Sequence, residues 1–212
     1  MVDRAHSASN EDNITGVLLM DIKAAFPSVA RGRLIHAMNA KGIDGNLIRW
    51  TASFLSDRTV EKVIQGNVLQ SHSMEAGVLQ GSPVSLILFA MHTAELIKWT
   101  EQTVQGGKGL SFIYDLTCVA TGNDANQVVL TLEACAGESI EWASRRDIQF
   151  DTAKTEAALF TCRGGHKNHL RPKLTVRFKV GDGFVRFNKE TTRLLGVWMD
   201  AHLISMSIAT AA

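Results

Sequence analysis

The sequence offers almost no net charge: Lys and Arg number 22 against 21 Asp and Glu. A nucleic-acid partner therefore cannot be argued from overall charge, and any basic surface has to be local. Cysteine is equally uninformative as a framework. Cys118, Cys135 and Cys162 are odd in number and form neither a zinc pattern nor a CxxC pair, which reads as reduced intracellular thiols. No apolar run reaches the roughly 18 residues of a membrane span. The N-terminus, Met-Val-Asp-Arg-Ala-His, has no apolar core of a signal peptide, so a soluble chain without a visible address is expected. Repeats and low-complexity tracts are absent. So is any Gly-x4-Gly-Lys-Ser/Thr loop, and Asp21-Ile-Lys lacks the second Asp of aspartyl-phosphate enzymes, which disfavours other magnesium phosphotransferases.

What is present fits a folded domain. At 212 residues, with 45% apolar and 20% charged, the chain can bury one substantial core. Residues 1–15 read as a polar lead-in, 16–203 as one domain, and 204–212 as a tail that loses both charge and pattern. Gly16 to Met20 forms a buried-strand pattern ending in Asp21. From Ser28, the expected N-cap, Leu34, Ile35 and Met38 recur at helical spacing until Gly42. A second helix over Asp44 to about Ser56 is expected to bury Leu47, Ile48, Trp50 and Leu55. Thr59 to Ile64 reads as a strand, Gly66-Asn67 as a turn and Val68 to Met74 as the partner strand. Pro83, with Ser82 capping, starts a long helix through Leu86, Phe89, Leu96 and Trp99. A hairpin follows over Leu110 to Thr121, and then a helix from about Asn123 to Arg146 with Val129, Leu132, Ala136, Ile140 and Ala143 on one face. Residues 155–162, 173–180 and 191–198 look strand-like. The interleaving predicts an α+β fold.

Three places invite chemistry: Asp21 at a strand end, Gln80-Gly81-Ser82-Pro83 at a helix start, and Asp115 in a tight hairpin. Magnesium is held by one or two carboxylates together with substrate phosphates, so carboxylates on neighbouring strands would organise phosphoryl transfer. Taken singly each has a plainer reading. A strand-end Asp can be a cap, and Gln-Gly-Ser-Pro is good helix-entry chemistry.

Their order is more specific. Leu-Leu-Met-Asp21-Ile-Lys-Ala-Ala-Phe26 resembles motif A of the reverse transcriptases of non-LTR retrotransposons. Gly77-Val-Leu-Gln-Gly-Ser-Pro-Val-Ser-Leu-Ile-Leu-Phe89 is similar to motif B, usually Gly-Val-Pro-Gln-Gly-Ser-Pro-x-Ser-Pro-x-Leu-Phe. Phe112-Ile-Tyr-Asp-Leu116 falls where motif C, an apolar pair followed by Asp-Asp, belongs. Phe150-Asp-Thr-Ala-Lys-Thr-Glu156 looks like motif D and Leu194-Leu-Gly-Val-Trp198 like motif E, the primer grip. The resemblance covers residues 14 to 203, and wording such as Ala-Phe-Pro-Ser-Val29 looks closest to fungal elements.

The resemblance implies a polymerase palm, a small antiparallel sheet backed by helices, with fingers and thumb largely missing. It implies an RNA template, a DNA primer and dNTP as partners, Mg2+ as cofactor and the nucleus as the place of action. Asp21 would hold both ions, with Asp115 as the second candidate ligand. Phe26 would be the steric gate beside Ile22, Gln80 and Gly81 would line the nucleotide pocket, and Lys154 would protonate the leaving pyrophosphate. Leu194, Leu195 and Gly196 would form the primer grip. Plainer roles stand beside these: core for Phe26, a cap for Gln80, a solvated lysine at 154. The basic stretch from Arg163 to Lys179, with Arg163, Lys167, Arg171 and Lys173, could track phosphates or be a solvated strand face.

This copy departs from the pattern at motif C. The first of the two aspartates is Tyr114, a phenol that is neutral at pH 7 and a poor magnesium ligand. Adjacent side chains on a strand point to opposite faces, so Asp115 is expected not to replace it. Leu79 and Leu86 stand where motif B usually has proline, and Leu194 where the primer grip often has Trp. The sequence therefore predicts a palm that does not polymerise, or a non-catalytic nucleic-acid-binding remnant.

Overall fold

The computed structural model describes residues 14–161, 177–181, 183–187, 191–194, 197–200 and 206–208. In chain order, strand β1 (Ile14–Lys23) precedes helices α1 (Arg31–Ala40) and α2 (Gly45–Phe54). Four short strands follow: β2 (Thr59–Val60), β3 (Val63–Ile64), β4 (Asn67–Val68) and β5 (His72–Ser73). Helix α3 (Pro83–Thr103), strands β6 (Gly107–Phe112) and β7 (Asp115–Gly122), helix α4 (Ala125–Ser144) and strand β8 (Gln149–Thr161) come next. The chain continues through β9 (Arg177–Val180), β10 (Gly183–Arg186), β11 (Thr191–Leu194), β12 (Val197–Asp200) and β13 (Met206–Ile208). This is the expected α+β class. The region read from sequence as one domain falls into two compact units, one of residues up to Ile22 with Leu96–Ala143 and Gln149 onward, the other of Lys23–Glu95 with Ser144–Ile148. No helix among the described residues is long and apolar enough to cross a membrane.

The first unit is built on a four-stranded sheet in the order β6-β7-β1-β8. β1 is buried on both faces along Ile14 to Leu18, which is why its sequence is a continuous apolar run rather than an alternation. On one face lies α4, whose Val128, Leu132, Cys135, Ala136 and Trp142 are buried. Gly16 makes this approach possible: a Cβ there would come within 2.5 Å of Val128 and 2.8 Å of Leu132. On the other face Val17, Val119, Ala158 and Phe160 pack with Met199 of β12. Strand side chains alternate with period two. The face that carries Val17 and Leu19 therefore ends in Asp21, and the face that carries Phe160 and Ala158 runs back through Glu156 to Lys154.

The small strands beyond β8 were only partly legible. Residues 191–198, expected as one strand, are β11 and β12 paired antiparallel with Arg193 opposite Trp198. β13 adds to them, with Val197 opposite Ile208, in a tail whose sequence shows no pattern. β10 pairs with β9 and was not anticipated.

In the second unit the helix starts follow local chemistry. α1 begins after Ala30 without a side-chain cap. Ser28, the expected cap, instead donates its hydroxyl to the Ala25 carbonyl at 2.9 Å and closes the preceding turn. Asp44 caps α2 by accepting from the Asn46 N–H at 2.8 Å. The apolar stripe of α2 does not go inward as expected. Leu47 and Trp50 are at least half exposed, whereas Leu55 is buried, and Trp50 instead stacks on Phe54 at 5.2 Å. The hairpin turns at Gln65-Gly66, both with positive φ, one residue earlier than read from sequence. Two consecutive left-handed residues suit the twist of a two-residue hairpin. Pro83 opens α3 as expected.

One buried group of α3 makes stability depend on pH. His92 is 3% exposed. Burial first, then the charges of Arg146 and Arg33, hold its imidazole down to about 4, with Glu95 opposing them. The folded value lies below the unfolded one, so the unfolded chain binds the proton more tightly. Stability is full above about pH 6.5 and falls as pH drops toward 4. Between about pH 7.5 and pH 5 the loss should be about 2 kcal/mol. Melts of His92→Phe should show that arm flattened, and parallel profiles for the two proteins would remove His92 as its source.

Candidate active site

Asp21 and Asp115 face each other as partners across the β1/β7 ladder. Directly opposed residues share a face, with Cβ atoms roughly 5 Å apart. The expectation that Asp115 points away is corrected here. Its reason is the turn: Phe112 pairs with Asp115, so Ile113 and Tyr114 form a two-residue loop and it is residue 115 that returns opposite Asp21. Tyr114 itself is 42% exposed. Its carbonyl accepts the Ile22 N–H at 3.0 Å, so this position gives the site backbone rather than charge. Ile113 has φ +57°. A β-branched residue in that region stores strain on the order of 1–3 kcal/mol.

Both carboxylates line a cavity of about 580 Å³ together with Thr117, Lys154, Glu156 and Arg193. The Lys154 Nζ donates to the Asp21 Oδ2 at 2.8 Å and lies 3.7 Å from Asp151. The hydrogen bond to Asp21, then its charge, raise the ammonium above its ordinary value. Burial and the charge of Asp21 raise Asp115, while Lys154 pulls it back. Thus the sequence-expected trio of Asp21, Asp115 and Lys154 converges. Glu156 and Arg193 were missed. Glu156 could have been found from its i, i+2 spacing to Lys154 on a strand, but Arg193 has no sequence signal beyond preceding motif E.

Of the other expected residues, Phe26, Gln80 and Gly81 belong to the second unit, and Ile22 ends the leading segment of the first. Ile22 is buried and takes part through its backbone. Phe26 lies 5.5 Å from Phe89, ring to ring, at 57°. Two backbone bonds hold its loop to motif B: Val78 N–H to the Phe26 carbonyl at 2.9 Å and Gly77 N–H to the Val29 carbonyl at 2.8 Å. Arg58, which sequence reasoning did not single out, donates to the Gly77 carbonyl at 2.6 Å. Gln80 and Gly81 are exposed in the turn before α3. Leu194 pairs with Val197. Leu195, Gly196, Arg163, Lys167, Arg171 and Lys173 lie outside the described residues.

The donor set can be compared with the magnesium that the sequence resemblance implies. Among the described residues no three His, Cys, Asp or Glu side chains converge as a metal cluster. Two opposed carboxylates fit one hard cation whose remaining positions are water or phosphate. A two-ion centre is not matched. Tyr114 is not among the residues lining the cavity, and an ammonium already bonds Asp21.

The reverse transcriptase (RNA-dependent DNA polymerase) family matches residues 1–199. The retrovirus-related Pol polyprotein from type-1 retrotransposable element R2 of Popillia japonica is 32% identical over 81 residues, 38% of this chain and 13% of that protein. Telomerase from Candida albicans, solved in complex with a TWJ fragment of telomeric RNA, matches with a TM-score of 0.64 and 11% identity, over 100% of this chain and 34% of that one. Apo telomerase from Candida tropicalis matches with a TM-score of 0.63 and 10% identity, over 98% and 36%. At such identities these structures establish a shared fold. The chain spans well under half the length of each of these proteins.

Proposed function

The chain belongs to the reverse transcriptase (RNA-dependent DNA polymerase) family, and on that footing we propose that it is the palm of a non-LTR retrotransposon reverse transcriptase that no longer adds nucleotides. The retrotransposon relative supports the lineage. RNA template, DNA primer and dNTP are the ligands that this ancestry supplies. The observation that supports the loss of activity is that Asp115 alone faces Asp21 across the ladder, while the sequence resemblance puts a further aspartate of motif C at the position of Tyr114.

Two-metal transfer needs charge on both the attacking and the leaving side. Lys154 is bonded to Asp21, Arg193 adds a second positive group beside Asp115 and Glu156, and burial with the charge of Asp21 raises the Asp115 carboxyl above its ordinary value. That arrangement can pair with a phosphate or a carboxylate but gives little hold for two cations.

Primer extension on an RNA template with magnesium tests the reading. No product is expected from the chain as it stands, and steady extension would end the proposal. Filter binding to RNA or DNA without extension is the expected companion result, and it should weaken with salt because phosphate contacts release counterions.

A further inference from the structure

A second cavity, of about 340 Å³, lies wholly within the second unit and shares no residue with the site of Asp21 and Asp115. Arg33 and His36 of α1, His92 and Glu95 of α3, and Arg146 line it, with Gly32 at its wall. Two guanidinium groups and one carboxylate line it, and the second carboxylate nearby, Asp147, pairs with Arg33 from outside the lining. Arg33 gives one N–H to the Arg145 carbonyl and one to Asp147. Because a guanidinium carries five N–H donors in a fixed fork, three remain to Arg33. Arg146 is turned toward Glu95 at 3.2 Å.

His92 supplies the second observation. Its ring is buried, yet its Nε2 has no hydrogen-bond partner. A buried ring nitrogen left unpaired is costly, and native proteins rarely keep one without a use. The charges of Arg146 and Arg33 both act on this ring against its protonation. Glu95 acts in the opposite sense on the ring, so the unpaired nitrogen sits among two guanidinium groups and one carboxylate. Neutral His92 can offer an N–H, and an anion there would meet donors from both helices.

We infer that this cavity binds a small phosphate-bearing anion, held by Arg33 and Arg146 and hydrogen-bonded by His92. Phosphate is favoured over a carboxylate because the donors come from several elements, and a tetrahedral oxyanion presents oxygens in several directions, whereas a carboxylate is planar. The volume exceeds that of the bare ion and leaves room for a small organic group on the phosphate.

Gly32 gives a clean way to block the site. A Cβ at this position would meet nothing within 4 Å, so the first atom of a Gly32→Phe side chain starts from open space at the cavity wall. The test uses the full chain, inorganic phosphate as the probe and acetate as the comparison. Calorimetry and the His92 ring signals in NMR are read together. Millimolar phosphate is expected to bind and to raise the His92 pKa, since the anion offsets the two arginines. Gly32→Phe and His92→Phe, made separately so that one misfolded variant does not decide the matter, should each weaken binding at least about ten-fold, the size of a lost charge-assisted hydrogen bond. An unshifted His92 with phosphate present, or binding unchanged in the folded variants, overturns the site. Acetate binding as well as phosphate does overturns the phosphate assignment.

Discussion

Alanine at Gly77 is expected to cost about 3 kcal/mol and to lower the melting temperature by roughly 6–12 °C. Gly77 has φ +85°, and a Cβ would lie 3.0 Å from the Pro27 Cα and 3.2 Å from the carbonyl oxygens of Phe26 and Pro27. All three neighbours are backbone, so no side-chain rotation relieves the contact. The left-handed backbone alone costs a non-glycine residue about 1 kcal/mol, and packing against an unyielding wall adds about 1–3 kcal/mol. Gly81, four residues on, is the internal control. It too has positive φ, at +90°, but a Cβ would meet nothing within 4 Å, so Gly81→Ala should cost only the conformational part, about 1 kcal/mol. Equal melting temperatures for the two variants would mean that the close approach does not hold the loop. The same contact explains a motif: the glycine opening motif B lets it lie against the loop after motif A, where the bonds from Gly77 and Val78 fix the backbone beside Phe26.

Much of this was legible in the sequence because the signals were local or carried by the family resemblance. The apolar run into Asp21, Pro83 at a helix start and the long apolar face of α4 each specify an element without help from the rest of the chain. The misreadings share a cause. Whether Asp115 or Tyr114 opposes Asp21 depends on which two residues the hairpin spends on its turn, and one residue of register moves a side chain to the other face. Nothing in Phe-Ile-Tyr-Asp announces a turn at Ile113-Tyr114, where a β-branched residue takes a left-handed conformation against its preference. Leu47 and Trp50 follow helical periodicity as well as any buried stripe does, but periodicity gives a face and not what covers it. The phosphate cavity was invisible for another reason. Arg33, His92 and Arg146 are separated by more than fifty residues at each step and form no motif, and only folding reveals that their charges act on one ring.

Tyr114→Asp should convert the chain from a weak to a measurable binder of a divalent cation, with Mn2+ affinity rising on the order of 100-fold. Residue 114 is next to Asp115, and its carbonyl is bonded to the Ile22 N–H beside Asp21, so an added carboxylate lies within reach of both. Even ligand-orienting partners are worth 10–100-fold in metal affinity, and a direct carboxylate should contribute at least the upper part of that range. The like charges of three carboxylates repel while no cation is present. The variant is therefore expected to be less stable than the parent without metal and to gain stability as Mn2+ is added, whereas the parent should respond little. Lys154→Met separates the two obstacles. Its ammonium sits 2.8 Å from Asp21, where it both repels and competes with an incoming cation, although its exposure lets solvent screen much of the effect. Alone it should tighten Mn2+ by only a few-fold, and with Tyr114→Asp the gain should exceed the sum of the separate changes, because the freed Asp21 oxygen and the new carboxylate would bind the same ion. Calorimetric or EPR titration of the four proteins measures this directly, independent of polymerisation. Tight Mn2+ binding by the parent chain would show that the phenol is no obstacle and that the carboxylate pair of Asp21 and Asp115 suffices.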